Sequence, residues 1–186
     1  MTRLTLHTPD SAPAASRPYI DKVITANGYL PNLIAALSNA PVALETYLTV
    51  SEINSRASLT LAEREVVQIT AATLHGCDFC VAGHSAIALK KAGFDAAAVV
   101  ALQRSQPTGH PRFDAIADFA RAVIATRGAV SDNELARFRA AGFTDQQVLE
   151  VILGVSLATL CNFANSLAQS PVNLQLEPFR AGVLQP

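Results

Sequence analysis

Two cysteines and a histidine lie close enough along this chain to carry out thiol chemistry. Cys77 and Cys80 are separated by two residues, and His84 follows four residues after Cys80. Two thiols at this spacing can form a reversible disulfide. A peroxide can oxidise one thiolate to a sulfenic acid, which the neighbouring thiol then resolves. The spacing therefore indicates redox chemistry at sulfur.

The same spacing predicts that both thiols lie in the first turn of a helix. There the free backbone N–H groups lower the pKa of a thiol. His84 would share a helix face with Cys80, so its imidazole could take the thiol proton and return it to a leaving alkoxide. This position favours Cys80 as the attacking thiol and Cys77 as the resolving one, whereas the order in thioredoxin would give the attack to Cys77. A purely structural interpretation would be two buried thiols and a surface histidine.

Glu65 is the fourth candidate, because it lies on an otherwise apolar stripe of a predicted helix. A buried carboxylate is costly unless it is paired. Glu65 could hold His84 in one tautomer and stabilise its protonated form. Since a helix rises ~1.5 Å per residue, this contact requires crossing helices or a loosened helix end near Gly76. The alternative is a partly exposed carboxylate paired with Arg64 or a lysine.

The remaining histidines and the third cysteine are not assigned to the site. His75 shares a polar stripe with other side chains and is interpreted as a solvated histidine at a helix end. Cys161 has no histidine on its helix face and is interpreted as a small buried hydrophobe. His7 and His110 fall in a tail and a loop, and we assign them no role.

The elements that must position these residues are all helical. The chain has 186 residues, half of them hydrophobic, and no segment predicts a strand. We expect an N-terminal tail over residues 1–15 and one domain over 16–186. Capping boxes at Thr60, Ser131 and Thr144 mark three helix starts. The predicted helices cover 16–27, 32–38, 41–55, 60–75, 77–93, 95–103, 113–126, 131–142 and 144–169, the last with a break near Cys161.

An internal pseudo-repeat relates two of these helical segments at an offset of 84 residues. Thr60 then matches Thr144, and Cys77 matches Cys161. Three ionisable side chains of the first copy become apolar in the second: Glu65 becomes Leu149, Cys80 becomes Ala164 and His84 becomes Ala168. Because the second copy packs without them, these three residues are more than the helical scaffold requires.

Composition excludes several classes of function. The formal net charge is −1, so neither nucleic-acid binding nor electrostatic docking on a membrane is expected. The N-terminal region shows no secretory signal, and no uninterrupted apolar stretch has transmembrane length. We therefore expect a cytoplasmic protein. In that compartment a close cysteine pair is more often catalytic or metal-binding than a structural disulfide.

Glu65, the Cys77–Cys80 pair and His84 resemble, at these spacings, the signature of the carboxymuconolactone decarboxylase superfamily in its alkylhydroperoxidase D-like branch. The resemblance is strongest over 59–93 and extends loosely over most of the chain. It implies an all-α bundle that assembles into dimers, trimers or hexamers and needs no metal, haem or other cofactor. It also implies an antioxidant peroxidase and disulfide reductase that acts on hydroperoxides.

The resemblance gives each site residue a role. Cys80 would be the peroxidatic cysteine, Cys77 its resolving partner, and His84 with Glu65 the proton relay. The electrons would come from a dithiol or a lipoyl-bearing adaptor protein. Phe79 departs from the pattern, because the best-known members carry a histidine there, and this suggests a different substrate. The decarboxylase branch typically lacks the cysteine pair, so lactone decarboxylation is disfavoured.

Two alternatives remain from the sequence. Cys77, Cys80 and His84 could bind zinc, with Glu65 or His75 as a fourth ligand. The protein could also be a non-enzymatic helical oligomerisation module whose thiols sense redox state. Disulfide formation would then change its assembly or partner binding without turnover.

Overall fold

A computed structural model describes residues 2–186, and within that range the chain is entirely helical, with no strand. The predicted all-α fold is therefore confirmed. The nine α-helices are α1 (Arg17–Asn27), α2 (Asn32–Leu37), α3 (Pro41–Ser55), α4 (Leu61–Leu74), α5 (Asp78–Lys91), α6 (Ala96–Gln103), α7 (Pro111–Thr126), α8 (Asp132–Ala140) and α9 (Asp145–Ala168). Two 3₁₀ helices cover Ala14–Ser16 and Leu174–Phe179.

The helix starts follow the capping signals closely. Thr60, Ser131 and Thr144 each form a complete capping box at the start of α4, α8 and α9. Two details differ from the sequence expectation. Helix α7 begins two residues early because Pro111 fits the first helical position. Ser16 precedes α1 without capping it, since its buried hydroxyl donates to the carbonyl of Ser38 at 2.9 Å.

Helix α4 is the centre of the fold and packs against α5, α6, α7 and α9. Two groups of buried apolar side chains surround it. One lies among α4, α6, α7 and α8 and includes Ile69, Ile116 and Phe138. The other lies where α1, α2 and α3 meet α5 and α9, and it contains Cys77 and Cys80. The thiols are therefore part of a packed core and not of a surface loop.

The backbone of the two copies of the pseudo-repeat differs at the position of Gly76. In the first copy Gly76 adopts a φ of +67°, which ends α4 and lets the chain return as α5. At the matching position of the second copy, Leu160 lies inside α9, which runs without a break through Cys161. The expected break near Cys161 was wrong, because a leucine pays a steric penalty at positive φ that glycine avoids.

Helix α9 crosses α4 at an unusually close approach. A Cβ added to Gly154 would lie 2.9 Å from Cγ1 of Val67. The glycine also leaves its carbonyl accessible, and the buried Gln68 side chain donates to it at 2.9 Å. This crossing fixes the C-terminal half of α9 against the start of α5, where the thiols lie.

By length and composition α9 could cross a bilayer, but 44% of its most apolar window is buried in the fold. It packs against α2, α3, α4 and α7, as the core helix of a soluble domain does. The N-terminal segment also lies on this helical body. The N–H of Arg3 donates to the carbonyl of Ala168 at 2.9 Å, and Ala12 is buried.

Candidate active site

Cys77 occupies the N-cap position of α5. The backbone N–H of Cys80 donates to its Sγ at 3.4 Å, so the sulfur sits where a serine or threonine oxygen commonly caps a helix. Cys80 lies in the first turn. Both residues are buried, with 3% and 4% of their surfaces exposed, and both are free thiols. A thiolate at Cys77 would face the positive end of the helix dipole.

The two thiols have opposite pKa shifts. A hydrogen bond from the Cys80 thiol lowers the pKa of Cys77, and burial acts in the opposite direction. Hydrogen bonds from the Cys80 N–H and the Asn165 amide lower the pKa of Cys77 further. The pKa of Cys80 is raised, because its proton is held by Cys77, its site is buried, and a second negative charge would lie beside the first. The expected lowering at the helix start therefore applies to Cys77 and not to Cys80. If one thiol of the pair ionises, Cys77 is therefore the one that loses its proton first.

Glu65 and His84 form a direct hydrogen bond. Nδ1 of His84 lies 2.8 Å from Oε2 of Glu65. The Glu65 residue is 5% exposed, while the His84 side chain is 27% exposed. Burial alone would lower the pKa of His84. The charge of Glu65, its hydrogen bond and the nearby Cys77 outweigh this, so the pKa of His84 is raised.

The turn at Gly76 makes this contact possible. Glu65 lies nine residues before the end of α4 at Leu74, and His84 lies six residues after the start of α5 at Asp78. Since each residue adds ~1.5 Å along a helix, the two are offset by about 4.5 Å along paired helices. Two extended side chains span that distance, and the contact needs no loosening of either helix.

Asn165 on α9 completes the surroundings of the sulfurs, and the sequence analysis missed it. The Nδ2 of Asn165 donates to Cys80 Sγ at 3.4 Å, and Asn165 is 3% exposed. Its Oδ1 has no hydrogen-bond partner within residues 2–186. A buried amide is costly unless it is used. Its presence in a long, largely apolar helix was a signal that could have identified it.

His75 lies outside the site, in a different environment from the one expected. It is half-buried, and its Nδ1 bonds Oδ1 of Asn162 at 2.9 Å. Its ring meets the edge of Phe163, with centroids 5.1 Å apart. His75 does lie at the end of α4, as expected, but its ring is half-buried against α9 and is not freely solvated. His75 joins α4 to α9.

A cavity of about 410 Å³ opens onto Cys80 and His84. We call it the Cys80 cavity. Its wall is largely apolar and includes Leu33, Ile34 and Phe79, with the Lys90 and Lys91 side chains also lining it. A volume of this size fits a small organic molecule. Cys161 also lines this cavity, so two cysteines and one imidazole face the space that a ligand could occupy.

Tyr47 also lines the Cys80 cavity and is a second residue that the sequence analysis missed. Burial raises the pKa of its phenol, and the nearby charges of Cys161, Cys80 and Glu65 add to this. The hydroxyl therefore stays protonated and can donate a hydrogen bond to a ligand oxygen near the sulfur. Tyr47 lies in α3, far in sequence from the thiols, and no local motif marks it.

A separate cavity of about 370 Å³ opens onto Cys77. We call it the Cys77 cavity. Asp78, Asn165, Ser166 and Arg180 are among its lining residues, and its wall is more polar than that of the Cys80 cavity. Arg180 lies 3.5 Å from the Asp78 carboxylate.

The zinc hypothesis finds no ligand set in the part of the chain that the structure describes. Across residues 2–186, no three side chains of histidine, cysteine, aspartate or glutamate are placed to share a metal ion. The Nδ1 of His84 is already engaged by Glu65.

The carboxymuconolactone decarboxylase family model matches residues 41–122, which include Glu65, Cys77, Cys80 and His84. This part of the chain, 82 of its 186 residues, is therefore similar to the carboxymuconolactone decarboxylase family. The family match covers α3 to α6 and most of α7, and therefore both helices that form the thiol site. No protein of curated function matches the sequence.

Solved structures share this helical fold over nearly the whole chain. An uncharacterized peroxidase-related protein from Ralstonia eutropha JMP134, described as an alkylhydroperoxidase AhpD core, has a TM-score of 0.84 at 20% identity, covering 100% of this chain and 98% of its own. A peroxidase-related protein from Silicibacter sp. TM1040 has a TM-score of 0.80 at 19% identity, covering 94% and 93%. The debrominase Bmp8, bound to 2,3,4-tribromopyrrole, has a TM-score of 0.78 at 14% identity, covering 96% of both chains.

Proposed function

We propose that this protein is a member of the carboxymuconolactone decarboxylase family and a thiol-dependent peroxidase that reduces organic hydroperoxides, in an antioxidant role. The observation that carries the proposal is the joint exposure of Cys80 and His84 to one apolar cavity, with Glu65 bonded to His84 at 2.8 Å. A nucleophile, a base and a group that orients the base are the parts that covalent catalysis needs. The peroxidase-related structural neighbours are consistent with it.

The first half-reaction would proceed at Cys80. Its sulfur attacks the terminal oxygen of the hydroperoxide while His84 takes the thiol proton. The O–O bond breaks, and the alkoxide receives a proton from the imidazolium, leaving an alcohol and a Cys80 sulfenic acid. The Cys77 thiolate then attacks the Cys80 sulfur, and the hydroxyl takes up from solvent the proton that Cys77 lost on ionising and leaves as water. The products are the alcohol, water and a Cys77–Cys80 disulfide.

The opposite pKa shifts fit this division between the thiols. Cys80 keeps its proton and so depends on a base at the moment of attack, which His84 supplies with a raised pKa. Cys77, with a lowered pKa, is ready as a thiolate for the second step. The reverse order, with Cys77 attacking the peroxide, would instead use the more acidic thiol but not the Cys80 cavity.

Trapping of sulfenic acid distinguishes the two orders. After one equivalent of cumene hydroperoxide, Cys77→Ser should accumulate a sulfenic acid at Cys80, located by mass spectrometry. Cys80→Ser should leave Cys77 as a thiol, and Cys161→Ser should behave as wild type. Steady turnover with a dithiol should be lost in Cys80→Ser and fall by roughly 10²–10⁴ in His84→Ala. Oxidation without any turnover would support a redox-sensing module instead, and no oxidation of either thiol would refute both.

A second candidate is reductive dehalogenation of an aromatic ring. Phe79, Tyr29 and Tyr47 line the Cys80 cavity and give it an aromatic character, and one structural neighbour is a debrominase. In such a reaction the thiol pair would supply two electrons, and an aryl bromide would become the arene and bromide with formation of the disulfide. Bromide release from 2,3,4-tribromopyrrole, measured beside peroxide consumption, compares the two activities directly.

We further propose a homo-oligomer in the cytoplasm, reduced by a dithiol or a lipoyl-bearing protein. Helix α9 supports the assembly, because it exposes an outward row of large apolar side chains that its own fold leaves uncovered: Leu149, Ile152, Phe163 and Leu167. Exposed apolar rows of this kind commonly mark interfaces. The size of the oligomer can be measured by light scattering.

A further inference from the structure

We propose that the reducing thiol enters through the Cys77 cavity and attacks Cys77 Sγ, so that oxidant and reductant use separate entrances to one disulfide. This inference rests on the proposed function only in requiring a Cys77–Cys80 disulfide. It adds the site at which the reductant binds, and the chemical class of that ligand is an alkyl thiol or dithiol.

The arrangement of the two cavities is the primary observation. Cys80 lines one cavity and Cys77 lines the other, and neither sulfur-bearing residue lines both. Phe79, between the two cysteines in sequence, lines both cavities and is 7% exposed. Its buried ring forms part of the wall between them. A molecule in either cavity therefore meets a different sulfur.

The stereochemistry of sulfur substitution gives this arrangement a consequence. A thiolate attacks a disulfide from behind the sulfur that it strikes, because its electron pair enters the antibonding orbital that extends beyond the S–S bond. An attack on Cys77 must come from the side away from Cys80. Because Cys77 lines the Cys77 cavity and Cys80 does not, a thiolate in that cavity meets Cys77, whereas one in the Cys80 cavity meets Cys80. The hydroxyl displaced from the Cys80 sulfenic acid likewise leaves into the Cys80 cavity.

The walls match the two reactants. The Cys77 cavity is lined by Ser166, Gln169 and Arg180, whose polar groups suit a hydrated thiolate. Arg180 is shared between two carboxylates, Asp78 at 3.5 Å and Glu177 at 3.2 Å, so it supplies only a partly neutralised positive charge. The Cys80 cavity presents a mainly apolar wall that suits the organic part of a hydroperoxide.

In the reductive step, the incoming thiolate forms a bond to Cys77 Sγ, and the S–S bond breaks with its electron pair going to Cys80. The imidazolium of His84 protonates the Cys80 thiolate. The second thiol of a dithiol then attacks its own mixed-disulfide sulfur, which releases Cys77 and closes the reductant into a cyclic disulfide. The dithiol is oxidised by two electrons, and the protein pair is reduced by two.

Tryptophan substitutions at exposed positions test the two entrances separately. Ser166→Trp narrows the Cys77 cavity, and Ala26→Trp narrows the Cys80 cavity. Ala136→Trp, which is exposed on α8, lines neither cavity and lies outside the apolar row of α9, is the control. The disulfide is formed with diamide, so that its reduction by dithiothreitol can be followed by alkylation and mass spectrometry even if no peroxide reacts. Oxidation by cumene hydroperoxide is measured in a separate experiment.

We expect Ser166→Trp to slow reduction by at least about tenfold and to leave oxidation unchanged. Ala26→Trp should slow oxidation and leave reduction unchanged, and Ala136→Trp should alter neither. Unchanged reduction in Ser166→Trp with a normal circular dichroism spectrum, or slowed reduction in Ala26→Trp alone, would overturn the inference. So would failure of diamide to form the disulfide. Failure of peroxide alone to oxidise the pair would refute the peroxidase proposal and leave this test intact.

Discussion

Replacing Glu65 with glutamine removes one negative charge 2.8 Å from Nδ1 of His84 and keeps an oxygen that can accept the same hydrogen bond. In the wild type, burial lowers the pKa of His84, while the charge of Glu65 and its hydrogen bond raise it. Glutamine leaves the burial and removes the charge. The pKa of His84 should therefore fall.

The magnitude follows from the kind of hydrogen bond that is lost. A hydrogen bond to a charged group contributes about 1.5–3 kcal/mol and a neutral one about 0.5–1.5 kcal/mol, so Glu65→Gln should cost about 1 kcal/mol of unfolding free energy. The cost depends on pH. A raised pKa stabilises the fold below the unfolded-state pKa of His84, and this contribution is lost as pH rises through the folded-state pKa. The variant should be more destabilised at pH ~6 than at pH ~9.

Activity should change in two ways. A base with a lower pKa removes the Cys80 proton less effectively, so the plateau rate of oxidation should fall about tenfold, which is less than the roughly 10²–10⁴ expected when the base is removed altogether. The neutral imidazole, however, becomes populated at lower pH. The acid limb of the pH–rate profile should therefore move to lower pH, in the opposite sense to a simple loss of stability.

Three measurements check this prediction. Proton NMR follows the His84 ring through a pH titration, with its signal assigned from His84→Gln. Single-turnover oxidation by cumene hydroperoxide gives the pH–rate profile, and urea unfolding at the two pH values gives the stability. Glu63→Gln is the matched control, because Glu63 is equally buried on α4 but pairs with Arg112. An unchanged or higher His84 pKa in Glu65→Gln, or an equal shift in Glu63→Gln, would refute the reasoning.

Three further predictions concern the surroundings of the site. Gly154→Ala places a Cβ 2.9 Å from Val67 and should lower stability by about 1–3 kcal/mol. Gly83→Ala, whose nearest contact lies at 3.9 Å, should leave stability unchanged, and thermal unfolding compares the two variants. Asn165→Leu removes an amide that lowers the pKa of Cys77, so the pH at which iodoacetamide alkylates Cys77 should rise, and an unchanged profile would contradict the role given to the amide. Phe163→Glu puts a charge in the exposed row on α9 and should give a monomer in light scattering; a wild type that is already monomeric would contradict the proposed assembly.

Local rules were sufficient to predict most of the fold from the sequence. A capping box satisfies backbone donors within four residues, so Thr60, Ser131 and Thr144 marked their helix starts without knowledge of the tertiary structure. Glu65 was found because it is a carboxylate on an otherwise apolar helix face, and His84 because it shares a helix face with the Cys80 thiol. Their contact could be anticipated but not established, since it depends on how α4 and α5 pair.

Long-range geometry accounts for what the sequence could not predict. Asn165 reaches Cys80 only because α9 crosses α4 at Gly154, and that crossing joins residues that are far apart in the chain. Tyr47 approaches the thiols through the packing of α3. The division of the thiols between two cavities depends on the placement of the Phe79 ring, which no spacing rule describes.

The pseudo-repeat indicates which local feature lowers the pKa of the Cys77 thiol. Cys77 and Cys161 are equivalent positions, and both are buried among apolar side chains. Burial and the charge of Cys77 raise the pKa of Cys161 to about 12, while the pKa of Cys77 is lowered. The difference lies in the backbone, because Cys161 is inside a continuous helix whose N–H groups are already used, and Cys77 follows the break at Gly76 and receives the N–H of Cys80. The helix break therefore creates the anion site, and the neighbouring histidine and glutamate provide the base.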